Sequence, residues 1–205
     1  MKNTLVILIS LSLFACEQSA PKVYQKISPD AVILAFGDSL TYGTGASGNT
    51  SYPSILSELS QHKVINAGIP GEVSQTGLRR LSKLLDQYQP ELMILIHGGN
   101  DLLRRVPEQQ LASNLSQMIT TARERDIKVV MLGVPKPQLF LLSSAELYQQ
   151  VAEEQHVPVD LETLPEILSD NGLKSDRIHP NSAGYRLMAE NIYNLLVNTG
   201  ALSSQ

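Results

Sequence analysis

The chain has 205 residues, of which 42% are hydrophobic and 18% are charged. This length and composition suit a single globular α/β domain with a sizeable core and do not favour a second domain. The formal net charge is −4, from 16 basic and 20 acidic residues, and no basic run stands out. The chain therefore lacks the positive surface on which nucleic-acid binders depend, and nucleic acid is not expected as a partner.

The first residues are typical of an export signal. Lys2 precedes an apolar stretch, residues 5–15, which is too short to span a bilayer. Cys16 is the only cysteine, so no intramolecular disulfide can form. Its position at the end of the apolar stretch resembles a bacterial lipoprotein signal, in which the cysteine is lipidated and becomes the new N-terminus. Ordinary cleavage that leaves a free thiol at Cys16 is the alternative.

We therefore predict a signal peptide over residues 1–15 and a lipid-anchored tether over residues 16–30, which are polar and have no apolar periodicity. Two or more acyl chains on Cys16 would hold the exported protein on a bacterial membrane. By the same resemblance, Glu17 after the cysteine favours the outer membrane, with the protein facing the periplasm. The globular domain is then expected over residues 31–200.

The function of the chain depends most on the segment after the first apolar run, residues 31–35. A short apolar run stopped by Gly37 predicts a buried strand of a parallel sheet. Ser39 would then lie just beyond the carboxyl end of that strand, where open α/β sheets bind their ligands. Ser39 is our candidate nucleophile. The alternative is that Asp38 and Ser39 only cap the following helix.

Residues 43–48 satisfy the dinucleotide fingerprint G-x-G-x-x-G. In nucleotide-binding folds the first glycine comes at the end of the strand, and an acidic residue closes the second strand. Here six residues separate Phe36 from Gly43, and the second apolar run ends in Asn66. We interpret the glycines as a flexible loop before a helix that begins near Tyr52.

The rest of the chain alternates short apolar runs with segments of helical periodicity. Further strands are predicted at residues 64–65, 92–96, 127–132 and 157–159. Helices are predicted over residues 74–87, from Pro107 to Ala122, around residues 147–151, and after Asn181 or Ser182 as cap. This alternation predicts an α/β fold, a five-stranded parallel sheet with helices on both faces. Among the doubly wound topologies we expect the strand order 2-1-3-4-5.

We predict a reaction centre around Ser39 at the carboxyl edge of this sheet. Asp176 and His179 come from the loop before the final helix. A serine hydroxyl needs a base within hydrogen-bond reach, and that base needs a third group to orient it. His179 can be the base for Ser39 and Asp176 can orient it, since only two residues separate the pair.

Reaction at Ser39 would also create a tetrahedral oxyanion, which needs hydrogen-bond donors. The backbone amides of Ser39 and Gly68 and the side-chain amide of Asn100 can supply three, because all three residues follow strands at the same edge. Glycine suits a position where the backbone itself approaches the substrate.

Four segments together resemble the sequence blocks of the SGNH, or GDSL, hydrolases. They are residues 37–43, 66–68, 99–101 and 176–180, in the family's order. The resemblance implies a three-layer flavodoxin-like domain that hydrolyses esters or thioesters through an acyl-serine intermediate, with no metal or other cofactor. Size and block context look most like the bacterial arylesterase, thioesterase I and lysophospholipase L1 branch, which implies a small acyl ester or lipid substrate and a monomer.

Residues 136–142 follow the fourth strand at the same edge and are largely apolar. Leu139 and Phe140 are candidates for one wall of an acyl pocket that would select chain length. The alternative is that they pack under the next helix.

The remaining histidines do not suit the reaction. His62 and His156 precede strands and are expected at the opposite edge of the sheet. His97 lies beside the oxyanion loop and is expected to support it or to pack. No group of histidines and carboxylates has the spacing of a metal site.

The sequence thus predicts a serine esterase of the SGNH type. Simple acyl esters, acyl thioesters, lysophospholipids and acetylated sugars all suit the same chemistry. Two non-catalytic alternatives stay open: a nucleotide-binding module that uses residues 43–48, and a lipid-anchored binding protein that keeps the fold without turnover.

Overall fold

The computed structural model describes residues 23–47, 49–136 and 143–204. Its strands form one sheet in which every adjacent pair is parallel, in the order β2-β1-β3-β4-β5. The strands are β1 (Val32–Gly37), β2 (Lys63–Gly68), β3 (Leu92–Ile96), β4 (Lys128–Leu132) and β5 (Val159–Asp160). The predicted fold class and strand order are confirmed.

Helices cover both faces of the sheet. The helices of the described residues are α1 (Ser39–Tyr42), α2 (Tyr52–Ser60), α3 (Ser74–Tyr88), α4 (Gly99–Leu103), α5 (Glu108–Arg123), α6 (Glu146–Gln155), α7 (Thr163–Ser169) and α8 (Ser182–Asn198). Contacts between helices group α2, α7 and α8 in one layer and α3, α5 and α6 in the other. Asn181 caps α8 by accepting the N–H groups of Ala183 and Gly184, as predicted.

The centre of the sheet is apolar because helices cover it on both sides. All five residues of β3 are buried, and so are the last five of β1. The edge strand β2 is more exposed. The other edge strand, β5, has two residues and begins one residue after Pro158, which has no N–H to give to a ladder. The predicted fifth strand over residues 157–159 is therefore displaced towards Asp160.

Three short helices were not predicted. The helices α1, α4 and α7 have four, five and seven residues. Amphipathic periodicity needs a window of about eleven residues or more to be recognised, so elements of this length give no such signal. Two of them, α1 and α4, begin directly after β1 and β3, in segments predicted as exit loops.

The tether prediction over residues 16–30 was too long. Tyr24 donates its N–H to Thr199 O at 2.8 Å and its hydroxyl to Val129 O at 2.6 Å. Ile27 is 1% exposed and donates its N–H to Ala201 O at 3.0 Å. These contacts lie at the amino edge of the sheet and make the segment part of the domain, because a buried isoleucine and paired amides are not features of a free linker.

At the other end of the chain, Ala201 and Leu202 are buried, so the packed domain also extends past residue 200. Cys16 and the predicted signal peptide lie outside the described residues. Within the described part of the chain, no helix combines the length and apolar character that a membrane crossing requires.

Candidate active site

Ser39 stands at a sharp turn between β1 and α1. Gly37 lies so close to the Ile96 carbonyl group that a side-chain carbon would collide with it. Asp38 is 1% exposed and caps α1 by accepting the Leu40 N–H at 3.1 Å. Ser39 is the first residue of α1, and the first N–H groups of a helix have no acceptor within it. The capping interpretation is thus correct for Asp38, and it leaves Ser39 free to line the cavity at the carboxyl edge.

The structure brings together the three side chains predicted as nucleophile, base and orienting carboxylate. His179 Nε2 lies 3.0 Å from Ser39 Oγ, and His179 Nδ1 lies 2.8 Å from Asp176 Oδ2. A carboxylate can only accept, so Nδ1 carries the proton in the neutral ring. Nε2 is then the acceptor for the Ser39 hydroxyl, which is the arrangement that general-base activation requires.

The turn that carries His179 is held by its own hydrogen bonds. Asp176 Oδ1 accepts the N–H groups of Ile178 at 2.8 Å and His179 at 2.9 Å. Ser175 donates its N–H to the His179 carbonyl at 2.9 Å. Burial opposes ionisation of Asp176, but these bonds and the nearby imidazole outweigh it and hold the pKa of the Asp176 carboxyl below its ordinary value of 3.8. Asp176 therefore stays charged at neutral pH.

Asn100 comes to the same place from the start of α4. Its Nδ2 donates to Asp38 Oδ2 at 3.2 Å and to the Glu72 carbonyl at 3.0 Å, and the residue lines the cavity beside Ser39. Two acceptors fix the orientation of this amide group. Burial raises the pKa of Asp38, while the hydrogen bonds from Leu40 and Asn100 act in the opposite direction.

The structure does not bring Gly68 to the cavity, which corrects its prediction as an oxyanion donor. The Gly68 N–H donates to Asn66 Oδ1 at 3.0 Å. A side-chain carbon at Gly68 would collide with the backbone of Tyr42. Gly71, three residues later, lines the cavity instead. Its φ of 76° lies in the left-handed region that favours glycine. Its N–H makes no hydrogen bond within the described part of the chain.

An open cavity of about 770 Å³ adjoins Ser39. Much of its wall is apolar and includes Leu40, Pro70, Leu103, Val134, Leu168 and Ile178. Lys136, Lys174 and Arg177 also line it. Leu139 and Phe140, the predicted pocket residues, lie outside the described residues.

Comparison with known proteins agrees with this geometry. The sequence pattern of the GDSL-like lipase/acylhydrolase family matches residues 35–187. The chain belongs to this family. It is a GDSL serine esterase, since it is 35% identical to an arylesterase from Vibrio mimicus over 93% of this chain and 97% of that one. It is also 31% identical to the thioesterase 1/protease 1/lysophospholipase L1 of Escherichia coli K12, over 77% of this chain and 79% of that one.

Solved structures give the same picture of the GDSL esterase. The crystal structure of TesA superposes with a TM-score of 0.71 at 28% identity, covering 80% of this chain and 97% of that one. The psychrotrophic esterase EstA from Pseudoalteromonas sp. also gives a TM-score of 0.71, at 25% identity, with 82% and 97% covered.

The esterase has a buried charged group behind Ser39 that the sequence did not predict. The Glu72 side chain is 3% exposed and accepts hydrogen bonds from Arg80 Nε at 2.9 Å and Arg80 Nη2 at 2.6 Å. His97, which is fully buried, lies with Nε2 3.2 Å from Glu72 Oε2. Burial opposes ionisation of Glu72, but the bonds from His97 and Arg80 hold the pKa of Glu72 below its ordinary value of 4.5.

The other two histidines of the esterase lie where the sequence predicted, at the amino edge. His62 directly precedes β2, and its ring contacts the carbonyl groups of Ser60 and Ser28. His156 ends α6 in a left-handed conformation. No group of three or more His, Cys, Asp or Glu side chains among the described residues is arranged to hold a metal ion.

The glycine-rich segment of the esterase packs against the loop that carries His179. Tyr185 donates its hydroxyl to the Thr44 carbonyl at 2.9 Å, and Gly45 faces the Ser175 side chain. Thr44 also lines the cavity, so this segment is part of the wall of the active site.

Proposed function

We propose that Ser39, His179 and Asp176 are the catalytic triad of this esterase and that it hydrolyses esters of apolar acyl groups. The observation that carries the proposal is the chain of two hydrogen bonds, from Ser39 Oγ to His179 Nε2 and from His179 Nδ1 to Asp176 Oδ2. A hydroxyl, a base and an oriented carboxylate at these distances can generate a nucleophile at neutral pH.

The reaction then has two halves. Ser39 Oγ attacks the ester carbonyl carbon while its proton passes to His179 Nε2, and Asp176 stabilises the imidazolium that forms. Collapse of the tetrahedral intermediate breaks the bond to the leaving oxygen, which takes the proton from His179. Water next attacks the acyl-Ser39 ester with His179 again as base, which releases the carboxylic acid and restores Ser39.

We assign the oxyanion donors as the Ser39 N–H, the Gly71 N–H and Asn100 Nδ2. Ser39 and Gly71 line the cavity, and neither N–H has an acceptor within the described part of the chain. Asn100 Nδ2 already has two acceptors, so the oxyanion must share one of its protons with Asp38 or Glu72. Donors fixed before the substrate arrives cost no reorganisation when charge develops.

The apolar wall of the cavity supports an acyl chain as the group that fills it. Leu103, Val134 and Ile178 offer contacts to methylene groups and no hydrogen bonds to a sugar. A cavity of about 770 Å³ also exceeds what an acetyl group would occupy. An acyl ester is therefore the first substrate class to test, with the thioester of the same acyl group beside it.

The decisive experiment compares wild type with Ser39→Ala on short-chain and long-chain p-nitrophenyl esters. We expect kcat to fall about 10⁴-fold or more, with an unchanged thermal unfolding midpoint. The ratio of rates for the two esters measures how the cavity selects chain length. Wild-type turnover in a folded Ser39→Ala variant would reject the proposal.

We also propose that the protein is exported, lipidated on Cys16, held at the outer membrane facing the periplasm, and monomeric. The sequence around Cys16 supports the export and the anchor. The monomer is supported by the fact that one chain supplies Ser39, Asn100, Asp176 and His179. Cys16→Ser should move the protein from the membrane fraction to the soluble fraction. An unmodified Cys16 in the intact mass of the wild-type protein would exclude the anchor, and light scattering of the soluble domain tests the monomer.

A further inference from the structure

Three separate loops carry the three oxyanion donors, and a single buried side chain lies between them. Ser39 follows β1, Gly71 follows β2 and Asn100 follows β3. Glu72 is the residue directly after Gly71, and its side chain turns into the protein. Glu72 and its two partners, Arg80 and His97, make hydrogen bonds to the last residue of β1 and to the Asn100 loop.

The Gly71 loop is fixed by Glu72 itself. Arg80 holds the carboxylate with Nε at 2.9 Å and 3.0 Å from its two oxygens and with Nη2 at 2.6 Å. The same Nη2 donates to the carbonyl groups of Gly37 at 3.2 Å and Ala67 at 2.9 Å. Arg80 therefore ties the end of β1, two residues before Ser39, to the end of β2, four residues before Gly71.

The Asn100 loop is fixed through His97. The Gly98 N–H donates to His97 Nδ1 at 3.0 Å, so Nδ1 has no proton and Nε2 carries it. Nε2 then donates to Glu72 Oε2 at 3.2 Å. Asn100 connects its loop directly to the Gly71 loop, because its Nδ2 donates to the backbone carbonyl of Glu72 at 3.0 Å.

From these contacts we infer that Glu72, with Arg80 and His97, is a positioning residue that sets the distances between the three oxyanion donors. The inference rests on the proposed function and adds a residue that does not touch the substrate. Donors must meet the oxyanion within a narrow range of distance, and a misplacement of about 1 Å can cost about 10²-fold in rate. A carboxylate with two charged or polar partners in a buried site has little freedom to move.

The first test replaces Glu72 with Gln, which keeps the shape but turns one acceptor into a donor that faces Arg80 or His97. We expect kcat to fall about 10- to 100-fold while KM changes less than about threefold, because only the transition state carries the oxyanion charge.

Thr163→Val is the matched control. Thr163 is 2% exposed and makes partly buried hydrogen bonds with Asp160 and Asn191, and none of these three residues lines the cavity. Its loss should lower the melting temperature and leave kcat unchanged.

A second variant disturbs the network without removing any of its groups. Gly77 lies in α3, and a side-chain carbon there would come 2.5 Å from His97 Nε2. Alanine favours a helix over glycine by about 1 kcal/mol, which offsets part of the cost of moving the buried His97 ring, and the melting temperature shows whether the variant is folded. Displacement of the His97 ring should lower kcat at least about threefold with KM unchanged.

A double-mutant cycle shows whether Glu72 acts through the donors. If it does, the loss of kcat caused by Glu72→Gln should be at least about threefold smaller in an Asn100→Ala background, since one positioned donor is already absent. A Glu72→Gln penalty of equal size in both backgrounds would overturn the inference. So would wild-type kcat in folded Glu72→Gln or Gly77→Ala.

Ser39→Ala, measured beside these variants, separates this inference from the proposed function. If Ser39→Ala is inactive and the Glu72 and Gly77 variants have wild-type kcat, only the positioning role fails. If Ser39→Ala is active, the proposed function fails first.

Discussion

The active site has two sides that are built in opposite ways. On the side that moves protons, the Asp176 side chain is 52% exposed and that of His179 is 14% exposed, and a single local turn holds both. On the side of the proposed oxyanion donors, Asp38 and Glu72 are almost fully buried and connect three loops that are distant in sequence. Proton transfer tolerates contact with water, whereas donors that stabilise a developing charge must stay fixed in a dry surrounding.

The largest effect should come from the exposed side. Asp176→Asn keeps the size of the side chain but places an amide, which can present a donor, against His179 Nδ1, so the ring is no longer held in the required tautomer. We expect kcat to fall about 10³-fold, with KM little changed. Steady-state kinetics on a p-nitrophenyl ester measure this. A loss of less than about tenfold would show that water replaces the carboxylate and would weaken the assignment of Asp176.

On the buried side, Asn100→Ala removes one proposed oxyanion donor. The expected loss in kcat is about 10²-fold, again without a matching change in KM. Because Asn100 also binds Asp38, the melting temperature should be recorded alongside. An unchanged kcat would mean that Asn100 does not donate to the oxyanion. Its amide group would then serve only to bind Asp38 and the Glu72 carbonyl.

Acid should remove the contribution of Glu72 to the stability of the buried side. The pKa of Glu72 is held below its ordinary value of 4.5 in the folded protein, so its ionisation stabilises the fold above pH 4.5, and this contribution disappears as pH falls towards the lower folded value. Glu72→Gln should be less stable than wild type at neutral pH, and the difference in free energy of unfolding should shrink below pH 4.5. Urea unfolding at a series of pH values tests this, and a difference that does not change with pH would contradict it.

The smallest effect should come from the edge of the exposed turn. Ser175 Oγ donates to the His179 carbonyl at 3.2 Å, but the Ser175 N–H already binds the same oxygen at 2.9 Å. A single exposed hydrogen bond contributes about 1 kcal/mol or less, so Ser175→Ala should change kcat less than about threefold. A tenfold loss would show that the other hydrogen bonds of the turn do not hold His179 in place without the Ser175 hydroxyl.

The sequence was sufficient for features encoded in short local patterns. Apolar runs predicted the strands of the parallel sheet, and the residues after them placed Ser39 and Asn100 at the correct edge. Asp176 and His179 were predictable as a pair because two residues between them fit one turn. Elements of four to seven residues, such as α1 and α4, have too few residues to show periodicity.

The misassigned glycine shows a different limit. Gly68 is the last residue of β2, and Gly71 lies three residues later in the loop that follows the strand. The direction in which each N–H points depends on backbone angles and on the Asn66 side chain, which turns back to bind Gly68. The Pro70-Gly71 pair is a turn signal that favours Gly71 as the residue in an unusual conformation. By contrast, nothing local in the sequence relates Glu72 to His97, because only the completed fold brings them together.

The attachment of Tyr24 has a consequence for the orientation of the molecule. Tyr24 is bound to Thr199 and Val129 at the amino edge of the sheet, and Ser39 opens at the carboxyl edge. If Cys16 carries the lipid, the eight peptide units from Cys16 to Tyr24 reach at most about 28 Å from the bilayer. The catalytic mouth would then face away from the anchoring membrane, so the substrate would arrive from the surrounding solution or from an opposing surface rather than from the lipids beside the anchor.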